Sequence, residues 1–527
     1  MRRSRRSALL ASAALLASPV VASAATPAAL DLGGLTADSR LQPWLASELT
    51  EVASTADLRV MVRGTSDAAA ASALEAVGMR VQQRWPLLDV AVGVGPAAAV
   101  TGLLASDDVV YVEGDTPLQY NLATSHVATR SVEAAAAEPG IDGTGVSIAV
   151  IDSGIDATHP FFQQDGATKV VQNRKNACGI DFEIDPLLSE LCFVDLPDTD
   201  TVSGGGHGTH VAGIAAGVPV TTSDGQELRG SASGAKLVGL SVGAAIGLLD
   251  AVAAQNWVLE HQQNPCRSAA EQTESEIDPE CPPIRVTNHS YGPVASEGED
   301  NVFNPQSAAV VAQRAFVGQG GVAVWAAGND GGDGSFAATN PDAMDPTPGV
   351  VMVASYDDAQ TGARDNALSD FSSRGKQSDP STYPDLSAPG DLITSSCRVY
   401  LPICSTGFDL VDGGNYNTIS GTSMASPYVA GVVAQLMQAD PTITPAQVED
   451  VLEDSAHAFT AGGAYVQDPS NPDGQTSFDK GHGLVDVLAA LQLVLGADGP
   501  VVEEPVEPAP TECTRPNGKP CKGGGKP

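Results

Sequence analysis

The sequence predicts an α/β protein: a doubly wound, mostly parallel sheet with helices on both faces, preceded by a small ferredoxin-like α+β unit. Downstream, near-continuous apolar strands such as residues 146–152 alternate with helices of small residues, a pattern typical of a buried parallel sheet. Upstream, residues 58–114 follow the order β-α-β-β-α-β, which is the ferredoxin-like arrangement. The length of 527 residues indicates about three segments in all.

The first 25 residues have the composition of a secretory signal. A run of arginines within residues 2–6 is followed by an apolar stretch at 8–21 and a small-residue exit at 22–25. A twin-arginine signal at Arg5 and Arg6 is an alternative to general export. A membrane anchor is disfavoured because the apolar stretch is short and contains Pro19. We expect a secreted protein with no membrane association after signal removal.

The charge balance is strongly acidic and fits an exported, soluble chain. There are 64 acidic and 27 basic residues, which give a formal net charge of -37. Such a surface repels nucleic acid and anionic membranes, and it can attract divalent cations. The composition therefore excludes a nucleic-acid-binding role and leaves the substrate open.

Residues 58–114 hold the elements of the small upstream unit. Strands are predicted at 58–62 and at the sequences MRVQQRW, DVAVGVG and VVYVEG, and helices at 67–77 and 96–105. Taken by itself, this unit could be an independent domain of unknown purpose.

Three separated stretches of the downstream part carry residues that nucleophilic catalysis requires. Asp152 ends the apolar strand at 146–152, at the edge where open α/β sheets place functional groups. His207 opens a small-residue helix. Ser423 follows a Gly-Thr pair at the start of a predicted buried helix, with Pro427 in its first turn. A serine presented there lies beside backbone N–H groups that the helix does not use.

These stretches resemble the motifs of the subtilisin-like (subtilase) serine proteases. VSIAVIDSGIDATHP, GGGHGTHVAGIAAG, VWAAGNDG and SGTSMASPYVAG occur in that order, so the chain order is Asp, His, Ser. The resemblance covers residues 145–490. It implies that Ser423 is the nucleophile, that His207 is the general base oriented by Asp152, and that Asn329 donates to the oxyanion.

The resemblance also implies a substrate cleft. At Gly243 and Ala244, the exit of a strand is predicted to pair with the extended substrate through main-chain hydrogen bonds. One predicted pocket wall consists of Ser290, Tyr291 and Gly292, and the opposite wall consists of Ala326, Ala327 and Gly328. The family usually has a small aliphatic residue where Tyr291 stands, and a histidine where Tyr428 stands. His210 and His289 are interpreted as structural.

Residues 26–120 resemble the inhibitor-type pro-peptide of secreted subtilases, which assists folding and inhibits the enzyme until it is removed. We expect the maturation cleavage between residues 120 and 129. The catalytic domain is assigned to residues 121–497. Residues 498–527 form a Pro- and Glu-rich tail with a cysteine-closed end.

The eight cysteines form four pairs that are close in sequence, and an exported chain meets an oxidising environment. Proximity predicts the disulfides Cys178–Cys192, Cys266–Cys281, Cys397–Cys404 and Cys513–Cys521. The first of these lies in an insertion between Asp152 and His207 that is rich in acids. Those acids form either a solvated face or a structural calcium site: Asp181, Glu183, Asp185, Asp195, Asp198 and Asp200.

Together these features predict a secreted serine endopeptidase, made as a zymogen, which hydrolyses proteins or peptides through a Ser423 acyl-enzyme. It is expected to need no catalytic cofactor, to be inhibited by its own pro-peptide and to be a monomer. Two alternatives stay open: an exo-acting, tripeptidyl-type peptidase, and an inactive binding protein with the same fold.

Overall fold

In the computed structural model, the chain forms two compact units, residues 1–114 and 115–527. The structure describes residues 40–496 except for these gaps: 43–44, 47–48, 50–51, 115–116, 121–126, 177–192, 223–226, 244–245, 273–277, 294–297, 359–361, 365–366, 399, 406–409, 412–414, 459–464 and 467–475. The predicted signal (1–25) and tail (498–527) lie outside these residues.

The first unit has the predicted β-α-β-β-α-β order. Its elements are β1 (Asp57–Gly64), α1 (Asp67–Ala76), β2 (Arg80–Trp85), β3 (Val90–Pro96), α2 (Ala97–Leu103) and β4 (Val109–Gly114). The strands form one sheet in the order β2-β3-β1-β4, in which every neighbour is antiparallel. Alternate residues of β1, including Val60 and Val62, pack with Leu74 of α1 in the core of this unit. The unit ends at Gly114, six residues before the predicted boundary at 120.

The second unit contains all the remaining elements. The larger ones are, in chain order, β5 (Pro117–Tyr120), α3 (Ser131–Ala137), β6 (Ser147–Asp152), β7 (Val170–Asn176), β8 (Phe193–Asp195), α4 (His207–Ala216), β9 (Lys236–Ser241), β10 (Ile246–Gly247), α5 (Leu248–His261), β11 (Ile284–His289), β12 (Tyr291–Gly292), α6 (Ala308–Gly318), β13 (Val322–Ala326), β14 (Val350–Tyr356), β15 (Leu386–Pro389), β16 (Ile393–Ser396), β17 (Tyr416–Ile419), α7 (Thr422–Ala439), α8 (Pro445–Ser455) and α9 (Val487–Leu495).

Several shorter elements lie between these. They are the strand pairs Gln163–Gln164 with Ala167–Thr168, Val220–Thr221 with Glu227–Leu228 and Tyr465–Val466 with Thr476–Ser477, the strand Leu410–Val411 beside β17, the helix Pro402–Ser405 and the 3-10 turns Pro160–Phe162, Thr201–Ser203, Ala269–Glu271 and Pro380–Thr382. None of the described helices is long and apolar enough to cross a bilayer.

An eight-stranded sheet organises the second unit, in the order β8-β7-β9-β6-β11-β13-β14-β15. Seven strands are parallel and the edge strand β8 is antiparallel, which agrees with the predicted doubly wound α/β class. Every residue of β6 is buried, as its near-continuous apolar sequence predicts. The carboxyl ends of β6 and β11 meet at one edge, because Ile151 pairs with His289.

Helix α7 is the central helix of this unit and packs against β11, β13 and β14 as well as against α4 and α9. Its small residues permit this close approach. A Cβ at Gly431 would lie 2.7 Å from the carbonyl oxygen of Ala215 in α4 and 1.9 Å from Ser231 Oγ. The run of Ala, Gly and Val therefore reflects crowding on all sides of the helix.

Some predicted elements differ from the observed ones. The sequence of residues 248–260 predicts an amphipathic helix, but α5 is buried on nearly every side because α6 and β6 pack against it. The sequence also predicts a short strand near FSSRG at residues 371–375, but the described chain forms no strand there. Residues 386–390 resemble a connecting segment of the subtilases, yet 386–389 form the edge strand β15 paired with β14.

Candidate active site

Asp152 and His207 form a buried pair at the carboxyl edge of the sheet. Asp152 ends β6 and His207 is the first residue of α4, and their exposed fractions are 0% and 1%. His207 Nδ1 lies 2.8 Å from Asp152 Oδ1 and 3.0 Å from Oδ2. A ring that donates its Nδ1 proton to this carboxylate keeps the lone pair of Nε2 as a base.

Ser423 lies at the second position of α7. Gly421, just before the helix, has φ 152 and ψ 170, a conformation that is essentially restricted to glycine. The Ser423 hydroxyl donates to the carbonyl oxygen of Ser290 at 2.9 Å. Ser290 follows β11 and Asp152 ends the neighbouring β6, so the predicted serine and the Asp–His pair meet at the same edge of adjacent strands.

Asn329 is oriented by the residue that precedes the serine. Its Oδ1 accepts the Thr422 N–H at 2.9 Å and the Thr422 hydroxyl at 3.1 Å, and Thr422 Oγ1 in turn accepts the Gly328 N–H at 3.1 Å. Since the amide oxygen of Asn329 faces Thr422, its NH₂ group faces away from Thr422. The Ser423 N–H is in the first turn of α7, where helices have no internal acceptor.

An extended strand lies beside the serine, in the gap between β10 (Ile246–Gly247) and β12 (Tyr291–Gly292) that we call the slot. Segment β5 (Pro117–Tyr120) is the middle strand of a three-stranded antiparallel sheet with β10 and β12. Leu118 is opposite Ile246, and Tyr120 is opposite Tyr291. The two flanking strands therefore present backbone groups to an extended chain from both sides, which is how β-strand addition binds peptides.

The flanking strands refine the predicted cleft. Tyr291 and Gly292, predicted to belong to a pocket wall, form β12 on one side of β5, and Ile246–Gly247 form the strand on its other side. Gly243 lies in the turn before it with φ 97, and Ala244 lies outside the described residues. The second predicted wall starts at Ala326, the last residue of β13; Ala326 and Ala327 are buried, and Gly328 has φ 108.

The Tyr291 ring is enclosed in an aromatic cluster. Its hydroxyl lies 2.8 Å from His289 Nδ1, and its ring meets Trp325 edge to face at 5.5 Å. His289 stacks on Trp325 at 4.0 Å, and burial lowers the pKa of His289 to about 3. The tyrosine therefore fixes the backbone of β12 through side-chain packing in the core.

His210, interpreted as structural, and Tyr428, which stands where the family usually has a histidine, are both buried. His210 places its Nε2 3.0 Å from the carbonyl oxygen of Asn417, and burial lowers the pKa of His210 to about 3. Tyr428 is fully buried, and its hydroxyl lies 2.5 Å from Thr129 Oγ1.

Pro427 differs from its prediction in an informative way. It was expected in the first turn, but α7 begins at Thr422 and Pro427 lies inside the helix. A proline has no N–H for the carbonyl four residues earlier, which here belongs to Ser423. The Ser290 hydroxyl donates to that carbonyl oxygen instead, at 2.8 Å. Nothing in the local sequence signals this contact between the pocket wall and the helix of the serine.

The predicted disulfides are observed where the chain is described. Cys266–Cys281 and Cys397–Cys404 are both formed. The other two predicted pairs, which involve Cys178, Cys192, Cys513 and Cys521, lie outside the described residues.

The acids predicted to form either a solvated face or a calcium site lie only partly in the described chain. Asp181, Glu183 and Asp185 lie outside it, and Asp195 is exposed. Asp198 accepts the N–H groups of Asp200 and Thr201. Asp200 is 0% exposed, so it belongs to no solvated acidic face. The acidic cluster that could hold a cation among the described residues is a different one: Asp385, Glu449 and Glu453.

Comparison with known proteins gives one consistent result. Residues 143–483 match the model of the Subtilase family. Subtilisin E of Bacillus subtilis (strain 168) is 28% identical over 419 residues, which cover 79% of this chain and 84% of that protein. Fervidolysin of Fervidobacterium pennivorans is 30% identical over 375 residues, which cover 68% of this chain and 42% of that protein.

A solved structure supports the fold. The crystal structure of fervidolysin, described as a keratinolytic enzyme related to subtilisin, superposes with a TM-score of 0.56 and 24% sequence identity. The match covers 83% of this chain and 61% of that one. An extracellular protease of Xanthomonas campestris pv. campestris is 31% identical over 333 residues, 60% of this chain and 48% of that protein.

Proposed function

The chain belongs to the subtilase family, a family of serine-type endopeptidases, and on that premise we propose that it cleaves proteins within their chains through a Ser423 acyl-enzyme. The observation that carries the proposal is the buried contact of His207 Nδ1 with both oxygens of Asp152, one strand away from the contact of Ser423 with Ser290. Both contacts lie at one edge of the sheet, which supports the roles proposed for His207 as the base and Ser423 as the nucleophile.

The chemistry follows from these positions. His207 Nε2 takes the Ser423 proton as the oxygen attacks the scissile carbonyl, and Asp152 stabilises the imidazolium that forms. The Asn329 NH₂ group and the Ser423 N–H donate to the resulting oxyanion. His207 then gives its proton to the leaving amine. Water, activated by the same base, hydrolyses the ester and returns the proton to Ser423. No step requires a cofactor.

The slot between β10 and β12 supports endo-acting cleavage. It accepts an extended strand by main-chain hydrogen bonds on both sides, as β5 demonstrates with the chain's own residues. Recognition through the backbone tolerates many sequences, which suits an enzyme that acts on proteins.

We further propose that β5 is the end of an inhibitory pro-peptide and that the protein is exported as a zymogen. Support comes from the strand's place in the slot and from the order of the chain, in which the ferredoxin-like unit precedes the peptidase unit. Strand β5 ends at Tyr120, at the start of the interval 120–129 in which cleavage is expected. One relative is named an extracellular protease, which agrees with export.

The test compares the wild-type protein with Ser423→Ala in casein hydrolysis. We expect the variant to be inactive. Equal casein hydrolysis by the two proteins would contradict the mechanism, and no hydrolysis by either would favour an inactive binding protein. Peptides with blocked and free N-termini separate the remaining alternative. An endopeptidase cleaves both, whereas a tripeptidyl-type peptidase requires the free amine.

A further inference from the structure

The carboxylate of Asp200 is fully buried beside the first turn of α4, the helix that carries His207. Four donors converge on it. Oδ1 accepts the Ser153 hydroxyl at 2.7 Å and the Gly206 N–H at 2.6 Å. Oδ2 accepts the Thr209 N–H at 2.9 Å and the Thr209 hydroxyl. A cation would have to displace these donors, so the environment of Asp200 is that of a capping carboxylate and not of a calcium ligand.

Ser153 connects this carboxylate to Asp152. Its N–H donates to Asp152 Oδ1 at 2.7 Å, and its Oγ accepts the Gly208 N–H at 2.9 Å while donating to Asp200. The residue after Asp152 and the residues on both sides of His207 are therefore held by one network. The packing is tight, because a Cβ at Gly205 would lie 2.3 Å from Asp200 Oδ1 and 2.5 Å from the Ser153 Cβ.

We propose that Asp200 is a positioning residue for the reaction: it fixes the end of β6 and the start of α4 relative to each other, so that His207 Nδ1 faces Asp152. A cap alone would require only the contacts with Gly206 and Thr209. The additional bond to Ser153 joins the helix to the strand end, and that bond lies directly beside the Asp–His contact. A negative charge at this helix N-terminus also favours the imidazolium that forms during catalysis.

The inference rests on the proposed triad, so its test includes the triad. Asp200→Asn keeps the shape but turns an NH₂ group towards two of the four donors. We expect kcat per titrated active site to fall about 10- to 100-fold, in keeping with small misplacements of catalytic groups, while KM changes less than twofold. Ser153→Ala should lower kcat in the same direction. The double variant should lose less than the product of the two single losses.

Asp486→Asn is the matched control. Asp486 is also a buried capping carboxylate, which accepts the Ala489 N–H at 2.9 Å at the start of α9 and pairs with Arg130. This variant should lower the unfolding temperature and leave kcat unchanged. Variants that mature slowly are processed with a trace of tagged wild-type protein, which is then removed.

A second readout needs no activity. In the full chain carrying Ser423→Ala, the Nδ1 proton of His207 is observed by NMR with labelled histidine. Adding Asp200→Asn should shift or broaden this resonance, whereas adding Asp486→Asn should leave it in place. A merely stabilising role for Asp200 would not move it.

The possible failures are distinguishable. Full activity of Ser423→Ala would overturn the proposed function and this inference with it. If Ser423→Ala is inactive, two results overturn the positioning role alone: a kcat of Asp200→Asn within twofold of wild type, or an unmoved His207 resonance with an activity loss that only follows the unfolding temperature.

Discussion

The helices that carry His207 and Ser423 begin in different ways. Helix α4 starts beside the buried carboxylate of Asp200, which accepts four N–H and O–H donors. Helix α7 starts among neutral groups: the Asn329 amide, the Thr422 hydroxyl and the carbonyl and hydroxyl of Ser290. Both starts follow a glycine with positive φ, Gly206 and Gly421.

The difference corresponds to the charge that each site must stabilise. In the proposed mechanism positive charge develops on His207, so carboxylates nearby lower the energy of the transition state. Negative charge develops beside Ser423 in the same mechanism, where a carboxylate would oppose it and neutral N–H donors favour it. Two glycine-led helix starts of similar sequence pattern thus have opposite electrostatic surroundings, and the opposite surroundings suit their proposed roles.

The largest expected effect is the fall in kcat when either Ser423 or His207 is replaced by alanine. In subtilisin, removal of the serine or the histidine lowers kcat by about 10⁶-fold, and the losses are not additive. We expect Ser423→Ala and His207→Ala to have similar residual rates on a chromogenic peptide, and the double variant to match them. A double variant far slower than either single one would mean that the two helix starts act independently.

The next largest effect is expected from two changes at Asn329, one that removes its amide and one that replaces the amide with a carboxylate. Asn329→Ala removes one oxyanion donor and should lower kcat by about 10²- to 10³-fold, the loss known for such a donor in subtilisin. Asn329→Asp should lower kcat further at neutral pH, since its carboxylate repels the oxyanion, and acidification should recover part of the difference. If the Asp variant equals or exceeds the Ala variant in steady-state kcat at neutral pH, charge does not distinguish the two helix starts.

A smaller effect concerns the free energy of unfolding, which should depend on pH because the carboxylate of Asp200, near His207, is buried. Burial raises the pKa of Asp200 from 3.8 to about 6. The folded chain therefore binds this proton more tightly than the unfolded chain does, and stability falls as pH rises from about 4 to 6, by up to about 3 kcal/mol. Chemical unfolding of Ser423→Ala should show this slope. Asp200→Asn in the same background should reduce the slope of stability against pH. Equal slopes in the two proteins would contradict the assignment of this titration to Asp200.

The smallest expected effect tests the bond between Ser290 and the helix of the serine. Ser290→Ala leaves the Ser423 carbonyl without its hydroxyl donor and should lower the free energy of unfolding by about 1–3 kcal/mol. Pro427→Ala restores a backbone N–H that can reach this carbonyl. It should therefore be less destabilising in the Ser290→Ala background than alone, when measured by denaturant unfolding. Strict additivity would contradict the exchange of donors.

The parts that could be predicted from sequence are those with a local pattern. The apolar run before Asp152, the small residues of α7 and the β-α-β-β-α-β order each come from periodicity or composition within a short window. The predicted catalytic residues follow from motifs of this kind. Asp152 and His207 lie in contact, as that interpretation requires.

The parts that could not be predicted depend on long-range contacts. The sequence groups Asp200 with acids that form either a solvated face or a calcium site, because nothing near it in sequence shows that Ser153 and Thr209 enclose it. The sequence predicts Pro427 in a first turn, because it does not show that Ser290, 133 residues away from Ser423, replaces the missing N–H donor. The strand register at Ile246–Gly247 is set by its partner β5, which cannot be deduced from the composition of either segment.

The most direct test of the central claim is covalent labelling of the matured protein with phenylmethanesulfonyl fluoride, followed by peptide mass spectrometry. We predict a single sulfonylated residue, Ser423, with activity lost in proportion to labelling and no labelling in His207→Ala. Full labelling of Ser423 with activity retained, or equal labelling in the His207→Ala variant, would contradict the account.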